Sequence, residues 1–219
     1  MTGRVRLVLV RHGESLWNVE ERYQGQADSG LTATGRAQAE VAAAELLARF
    51  GAADLVVTSD LPRARDTANA YLRHLGRDAR QDARLREVDV GDWTGRTFTE
   101  ISAAYPDDVA AAGRGVDVRR GGGETFAEVR ERVWQALVEA AGQVAGQGAG
   151  GTVVAFSHGG AIRVAAAAAL RVPTPGHTSF APPVNTSLTV ITYAGEQGHH
   201  CLVEYNSPTA RAASATRAD

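Results

Sequence analysis

The chain has 219 residues, a formal net charge of −2, and 44% hydrophobic and 22% charged residues. That size and balance suit one α/β domain with a sizeable core, and they exclude a strongly basic nucleic-acid groove or membrane-surface patch. All 23 basic residues are arginine, which removes lysine Schiff-base chemistry and a phosphate-loop lysine.

The first element is an apolar run, Val5 to Val10, that reads as a buried strand. It is too short for a signal peptide and leads straight into Arg11-His12-Gly13-Glu14. A ligand site in an open α/β sheet lies at the carboxyl end of a strand. Arginine there offers a planar fork to phosphate oxygens, and histidine is a nucleophile that can carry a phosphoryl group. Glycine lets a ligand approach the backbone closely. Taken alone, the triplet could equally be an exposed turn.

A polar loop follows through Gln24 to Asp28, and a helix is expected from about Thr34 to Arg49. Asp54 to Thr58 reads as the second strand. Ser59 or Asp60 is expected to cap the next helix, which has Pro62 in its first turn and reaches about Leu75. Arg84 to Val90 reads as extended. Thr97 to Tyr105 reads as a short helix stopped by Pro106, and residues 113 to 123 as a mobile Gly- and Arg-rich loop. Thr125 to Gln143 is a long helix. Thr152 to Phe156 is a further strand, and it ends in Ser157-His158-Gly159-Gly160. Two strand-end histidines, each followed by glycine, suggest one site assembled from two loops of one sheet.

A helix over 160–170 follows, and its Ala-rich run is far too short to span a bilayer. Thr186 to Tyr193 and Cys201 to Tyr205 read as two late strands. His199-His200 reads as surface, because adjacent residues on an extended segment face opposite ways. Cys201, the one cysteine, reads as a core thiol; an intrachain disulfide is impossible, which fits a reducing cytoplasm. Residues 1–207 are read as a single catalytic domain and 208–219 as a disordered tail. The alternation of strands and helices predicts a mainly parallel sheet covered on both faces, a three-layer α/β/α sandwich.

Several separated signatures give the chain a family resemblance. They are R-H-G-E-S at 11–15, Q-G-Q-A-D at 24–28, L-T-A-T-G-R-A-Q-A at 31–39, S-D-L-P-R-A at 59–64, L-R-E at 85–87 with G-D-W-T-G at 91–95, and S-H-G-G at 157–160. Together they span residues 5 to about 165 and resemble the histidine phosphatase superfamily, which implies a phosphoglycerate-mutase-like fold. The resemblance implies His12 as the nucleophile, with Arg11, Arg63 and His158 around the phosphoryl group and Glu87 as general acid. It also implies substrate or phosphate contacts from Asn18, Gly159, Gln24, Gly25 and Ser15.

Each assignment has a plainer counterpart. Arg63 could be an ordinary solvated side chain, His158 a satisfied buried histidine, and Asn18 a turn residue. Glu87 could pair with Arg84 or Arg86. Ser15 is read mainly as a local cap, and Gln24-Gly25 equally as a solvent loop. Trp17, Tyr23 and Trp93 could wall the pocket or pack in the core.

No H-x-E or D-x-D cluster is visible, so no metal and no cofactor are expected. The partner expected is a small phosphorylated substrate, of sugar phosphate or phosphoglycerate type. No nucleic acid or membrane is expected, and a homodimer is allowed. The expected activity is a cytoplasmic, metal-independent phosphomonoesterase. A phosphoglycerate mutase is the main alternative and a catalytically silent phosphate-binding protein a further one. Phosphatase is preferred because the stretch around Glu87 is of the phosphatase type and the region from Glu87 to His158 is compact. Residues 106–123 and 171–184 are expected to shape the leaving-group side.

Overall fold

The computed structural model describes residues 4–148, 150–195 and 198–209. Its centre is a six-stranded sheet in the order β3-β2-β4-β1-β5-β6. The strands are β1 (Val5–Arg11), β2 (Leu55–Thr58), β3 (Arg80–Gln81), β4 (Gly151–Ser157), β5 (Leu188–Tyr193) and β6 (Cys201–Ser207). The first four are mutually parallel; β5 runs antiparallel to both β1 and β6.

Period-two alternation divides β1 between two cores. Leu7 and Leu9 pack on one face with α6 (Phe126–Ala145) and α7 (Gly159–Ala169), among Val133, Leu137 and Ile162. Val8 and Val10 pack on the other with α2 (Ala33–Phe50) and α3 (Pro62–Leu75), among Ala43, Leu46 and Tyr71. Both faces of the central strands are therefore dry, as a parallel sheet requires, and the architecture is the expected three-layer sandwich. Among the described residues, no helix is long and apolar enough to cross a membrane.

Local chemistry accounts for where the elements differ from expectation. Ser15 caps a short helix, α1 (Leu16–Val19), through a reciprocal box with Asn18. The cap of α3 is Leu61, with no side-chain bond, rather than Ser59 or Asp60. Those two side chains are engaged elsewhere, Ser59 with His158 and Asp60 with Arg86. Thr97 caps α4 (Phe98–Ala104). Pro106 ends that helix but also starts another, α5 (Pro106–Gly113), because proline suits a first helical position and Asp107 and Asp108 favour the same end.

The stretch expected to be extended from Arg84 opens instead on a 3-10 turn over Ala83–Leu85, capped by Asp82. The Gly-rich segment expected to be a mobile loop is packed tightly on the chain that follows Glu87. A Cβ added at Gly91 would lie 2.0 Å from the Gly121 carbonyl oxygen, and the Glu124 N–H donates to the Asp89 carbonyl at 2.8 Å. Cys201 is exposed rather than in the core, because it opens the edge strand β6. Most of the expected tail, residues 210–219, lies outside the described residues, whereas Thr209 is buried against Thr186.

Candidate active site

Strand register assembles the site. In the β1–β4 pair Arg11 stands opposite Ser157, so His12 and His158 are the next residues out of two adjacent parallel strands. The His12 N–H donates to the Ser157 carbonyl at 3.0 Å, and the two imidazole centroids are 5.3 Å apart. A one-residue slip would turn either side chain to the opposite face.

His12 is almost fully buried, and its Nδ1–H donates to the Gly13 carbonyl at 2.7 Å. That bond selects the tautomer with the lone pair on Nε2. Burial, reinforced by Arg63 and Arg11, holds the His12 pKa well below the ordinary imidazole value. The neutral imidazole, with its lone pair on Nε2, is thus the favoured form at neutral pH.

The two arginines are held by main-chain carbonyls rather than by strong ion pairs. Arg63, 1% exposed, donates to Gly25 at 2.7 Å and to Ala27 at 2.6 Å, with Asp28 at 3.5 Å. Arg11 donates to the Pro183 carbonyl at 2.5 Å. His158 Nε2 lies 2.9 Å from the Ser59 hydroxyl. After these contacts, Arg11 Nε, Arg63 Nε and His158 Nδ1 remain buried with no protein partner. A buried donor left unsatisfied costs about 1–3 kcal/mol, and acceptor oxygens of a ligand placed here would satisfy the two guanidinium Nε–H groups.

Glu87 stands on a different support. Its Oε2 accepts the Gly160 N–H at 3.0 Å, and its Oε1 accepts the N–H groups of Ala161 at 3.2 Å and Val88 at 3.0 Å. The first turn of α7 therefore cradles the carboxyl group. The ion pairs that could have claimed Glu87 go elsewhere: Arg86 pairs with Asp60, and Arg84 with Asp82 and Glu139.

A cavity of about 230 Å³ joins these groups. Arg11, His12, Arg63 and Glu87 line it, together with Asn18, Gln24, Gly25 and Gly159. His158 stands behind His12, and Ser15 is only a cap. Of Trp17, Tyr23 and Trp93, Tyr23 reaches the wall, with Trp93 buried edge-on against it at 6.1 Å; Phe126 lines it too. Pro182 and Pro183 contribute from the 171–184 segment; no described residue of 106–123 lines the cavity itself, although Arg120 stacks on the ring of the lining residue Phe126 at 4.0 Å. Among the described residues, no three His, Cys, Asp or Glu side chains gather as a metal site.

Two supporting residues escaped the sequence reading. Asn185 donates to the Asn18 Oδ1 at 3.1 Å and to the His12 carbonyl at 3.0 Å. With the Ser15 N–H also on that Oδ1, the Asn18 amide is turned so that its NH₂ is free to donate. Arg132, on α6, donates to the carbonyls of Arg84, Arg86 and Glu87 at 2.7, 2.8 and 2.9 Å and pairs with Glu124 at 2.8 Å. Neither lies near a recognisable motif; the only signal was a polar residue just ahead of β5 and an arginine amid the apolar spacing of α6.

Comparison with known proteins agrees with this geometry. Residues 7–208 match the model of the histidine phosphatase superfamily (branch 1). A glucosyl-3-phosphoglycerate phosphatase of Mycolicibacterium vanbaalenii is 42% identical over 171 residues, 77% of this chain and 75% of that protein. A probable phosphoglycerate mutase of Citrobacter koseri is 40% identical over 136 residues, 61% of each chain. The structure of a mycobacterial glucosyl-3-phosphoglycerate phosphatase in complex with VO3 superposes with a TM-score of 0.85 at 34% identity, over 93% of this chain and 99% of that one. With His12, the two arginines and the cradled glutamate around one cavity and His158 against His12, the chain belongs to branch 1 of the histidine phosphatase superfamily.

Proposed function

We propose that this chain is a metal-independent phosphomonoesterase acting through a phosphohistidine on His12. His12 Nε2 attacks phosphorus while the ester P–O bond breaks, and Glu87 gives its proton to the departing alkoxide. Water then attacks the phosphohistidine, with Glu87 as base, and releases phosphate. Charge on the equatorial oxygens is met by Arg11 and Arg63, with His158, Asn18 and the Gly159 N–H as further donors. Gln24 and Gly25 complete the wall; the Gly25 carbonyl acts mainly by fixing Arg63.

The observation that carries this reading is the free Nε2 of His12 beside two buried, unpartnered guanidinium Nε–H donors. The relatives named glucosyl-3-phosphoglycerate phosphatase support a small substrate of sugar phosphate or phosphoglycerate type. A reducing compartment such as the cytoplasm suits the single free cysteine.

The test is phosphate release from p-nitrophenyl phosphate and a panel of phosphorylated sugars and glycerates, in EDTA throughout. Activity that requires added Mg²⁺ or Zn²⁺ would remove the metal-independent mechanism. Incubation with 3-phosphoglycerate and catalytic 2,3-bisphosphoglycerate separates the mutase alternative. Isomerisation outrunning phosphate release from every monoester would favour it.

A further inference from the structure

Arg163 lies on α7, four residues beyond Gly159 and three beyond Gly160, on the helix face that carries the Glu87 cradle. It lines the same cavity. Its Nη2 donates to the carbonyls of Thr178 at 3.1 Å and Phe180 at 2.8 Å, which anchors the guanidinium. Its Nε is buried without a partner, and among the described residues no carboxylate pairs with it.

The cavity's other arginines are committed. Arg11 and Arg63 flank His12 and match the charge of a phosphoryl dianion. Arg22 pairs with Glu20 at 3.0 Å and with Glu100 at 3.4 Å. Arg163 is the remaining positive charge, on the Glu87 side of the cavity, where the leaving alcohol must lie if Glu87 protonates it.

We propose that Arg163 is a specificity residue that binds a carboxylate carried by the leaving alcohol. The preferred substrates are then phosphate monoesters of small hydroxy acids rather than of neutral polyols. This rests on the hydrolase reading above for the placement of the leaving group. The spacing fits: Arg163 stands three residues, about 4.5 Å of helix rise, beyond the Gly160 N–H that holds Glu87. A carboxylate two or three carbons from the ester oxygen spans that step. The apolar wall of Val88, Val90 and Phe126 takes the short carbon chain. A single guanidinium suits a monoanion with a flat pair of oxygens; a second phosphate dianion would exceed its charge.

The experiment uses 3-phosphoglycerate and glycerol 3-phosphate, which differ only in a carboxylate replaced by a hydroxymethyl group. Calorimetric binding is measured on the His12→Ala protein, so that no turnover intrudes. The expected result is binding about 10- to 100-fold tighter for 3-phosphoglycerate, from one charge-assisted contact. In the His12→Ala, Arg163→Gln double variant the ratio should fall to about threefold or less, and Arg163→Lys should retain part of it. In parallel, wild-type kcat/KM is measured on both esters.

Equal binding of the two ligands, or a ratio unchanged by Arg163→Gln in a protein of native circular dichroism, overturns the proposal. If the ratio holds but the wild type hydrolyses no monoester, the hydrolase reading fails and the carboxylate subsite stands. If hydrolysis proceeds with no preference between the esters and no binding difference, the subsite fails and the hydrolase reading stands.

Discussion

The Glu87 carboxylate is seated on the first turn of α7, where its Oε2 accepts the Gly160 N–H at 3.0 Å. The carboxylate is therefore held by main-chain amides, not by a cation. It shares a helix terminus with His158, the N-cap residue of α7, so one helix start positions both.

Replacing Glu87 by Gln should lower kcat about 100- to 10,000-fold on alkyl phosphates, the range of one general acid. Nitrophenyl phosphates, whose leaving group needs little protonation, should lose far less. The measurement is kcat against leaving-group pKa; parallel losses across the series would assign Glu87 a structural role.

Gly160→Ala tests the cradle. Its Cβ would lie 2.5 Å from Glu87 Oε1 and 3.0 Å from the Phe126 ring, so the carboxylate must move. Alanine is otherwise favourable in a helix, by up to about 1 kcal/mol. The expected outcome is a large fall in kcat with the leaving-group dependence of Glu87→Gln and a thermal midpoint within a few degrees of wild type. A variant with wild-type kcat would show that the acid does not need this seat.

Arg132→Ala removes the clamp on the carbonyls of residues 84, 86 and 87. Unmade hydrogen bonds should cost about 1–3 kcal/mol of stability. Arg132→Lys keeps the charge but not the fork, and should regain stability more fully than kcat on poor leaving groups. Loss of kcat in strict proportion to unfolded fraction, read by urea titration beside kinetics, would reduce Arg132 to a stabilising residue only.

His177 predicts an acid-sensitive fold. Its ring is buried 4.2 Å from the Phe126 ring, with both nitrogens unpartnered. Burial pushes its pKa down to about 4; Arg163, Arg120 and Arg130 push the same way and Asp117 opposes them. In the unfolded chain the imidazole takes up a proton near pH 6.5, so between there and about 4 the unfolded state binds more protons. Stability should fall with pH across that window, by up to about 1.4 kcal/mol per pH unit from this residue. Urea midpoints at pH 7 and pH 5 should fall less steeply in His177→Leu than in wild type. Some slope should remain, because His12 and His158 are depressed as well. Identical slopes in both proteins would reject the assignment.

The apolar runs at 5–10 and 152–156 specified two central strands by themselves, since β-branched residues buried on both faces admit little else. The caps at Thr97 and Thr125 and the proline at 62 likewise placed helices through interactions within a few residues. The histidine–glycine pairs, Arg63 and Glu87 stood out because each sits in a short motif whose chemistry is local. What the chain alone left open depends on groups far apart in sequence. Ser59 and Asp60 resembled caps, but a histidine and an arginine from other segments claim them. Cys201 looked like core until β6 proved to be an edge. The clamp by Arg132, the turning of Asn18 by Asn185 and the unpaired charge of Arg163 exist only once α6, α7 and β5 pack on the sheet. Local sterics and hydrogen bonding write secondary structure into neighbouring residues, whereas the pairing of distant side chains follows from strand register and from which face each helix buries.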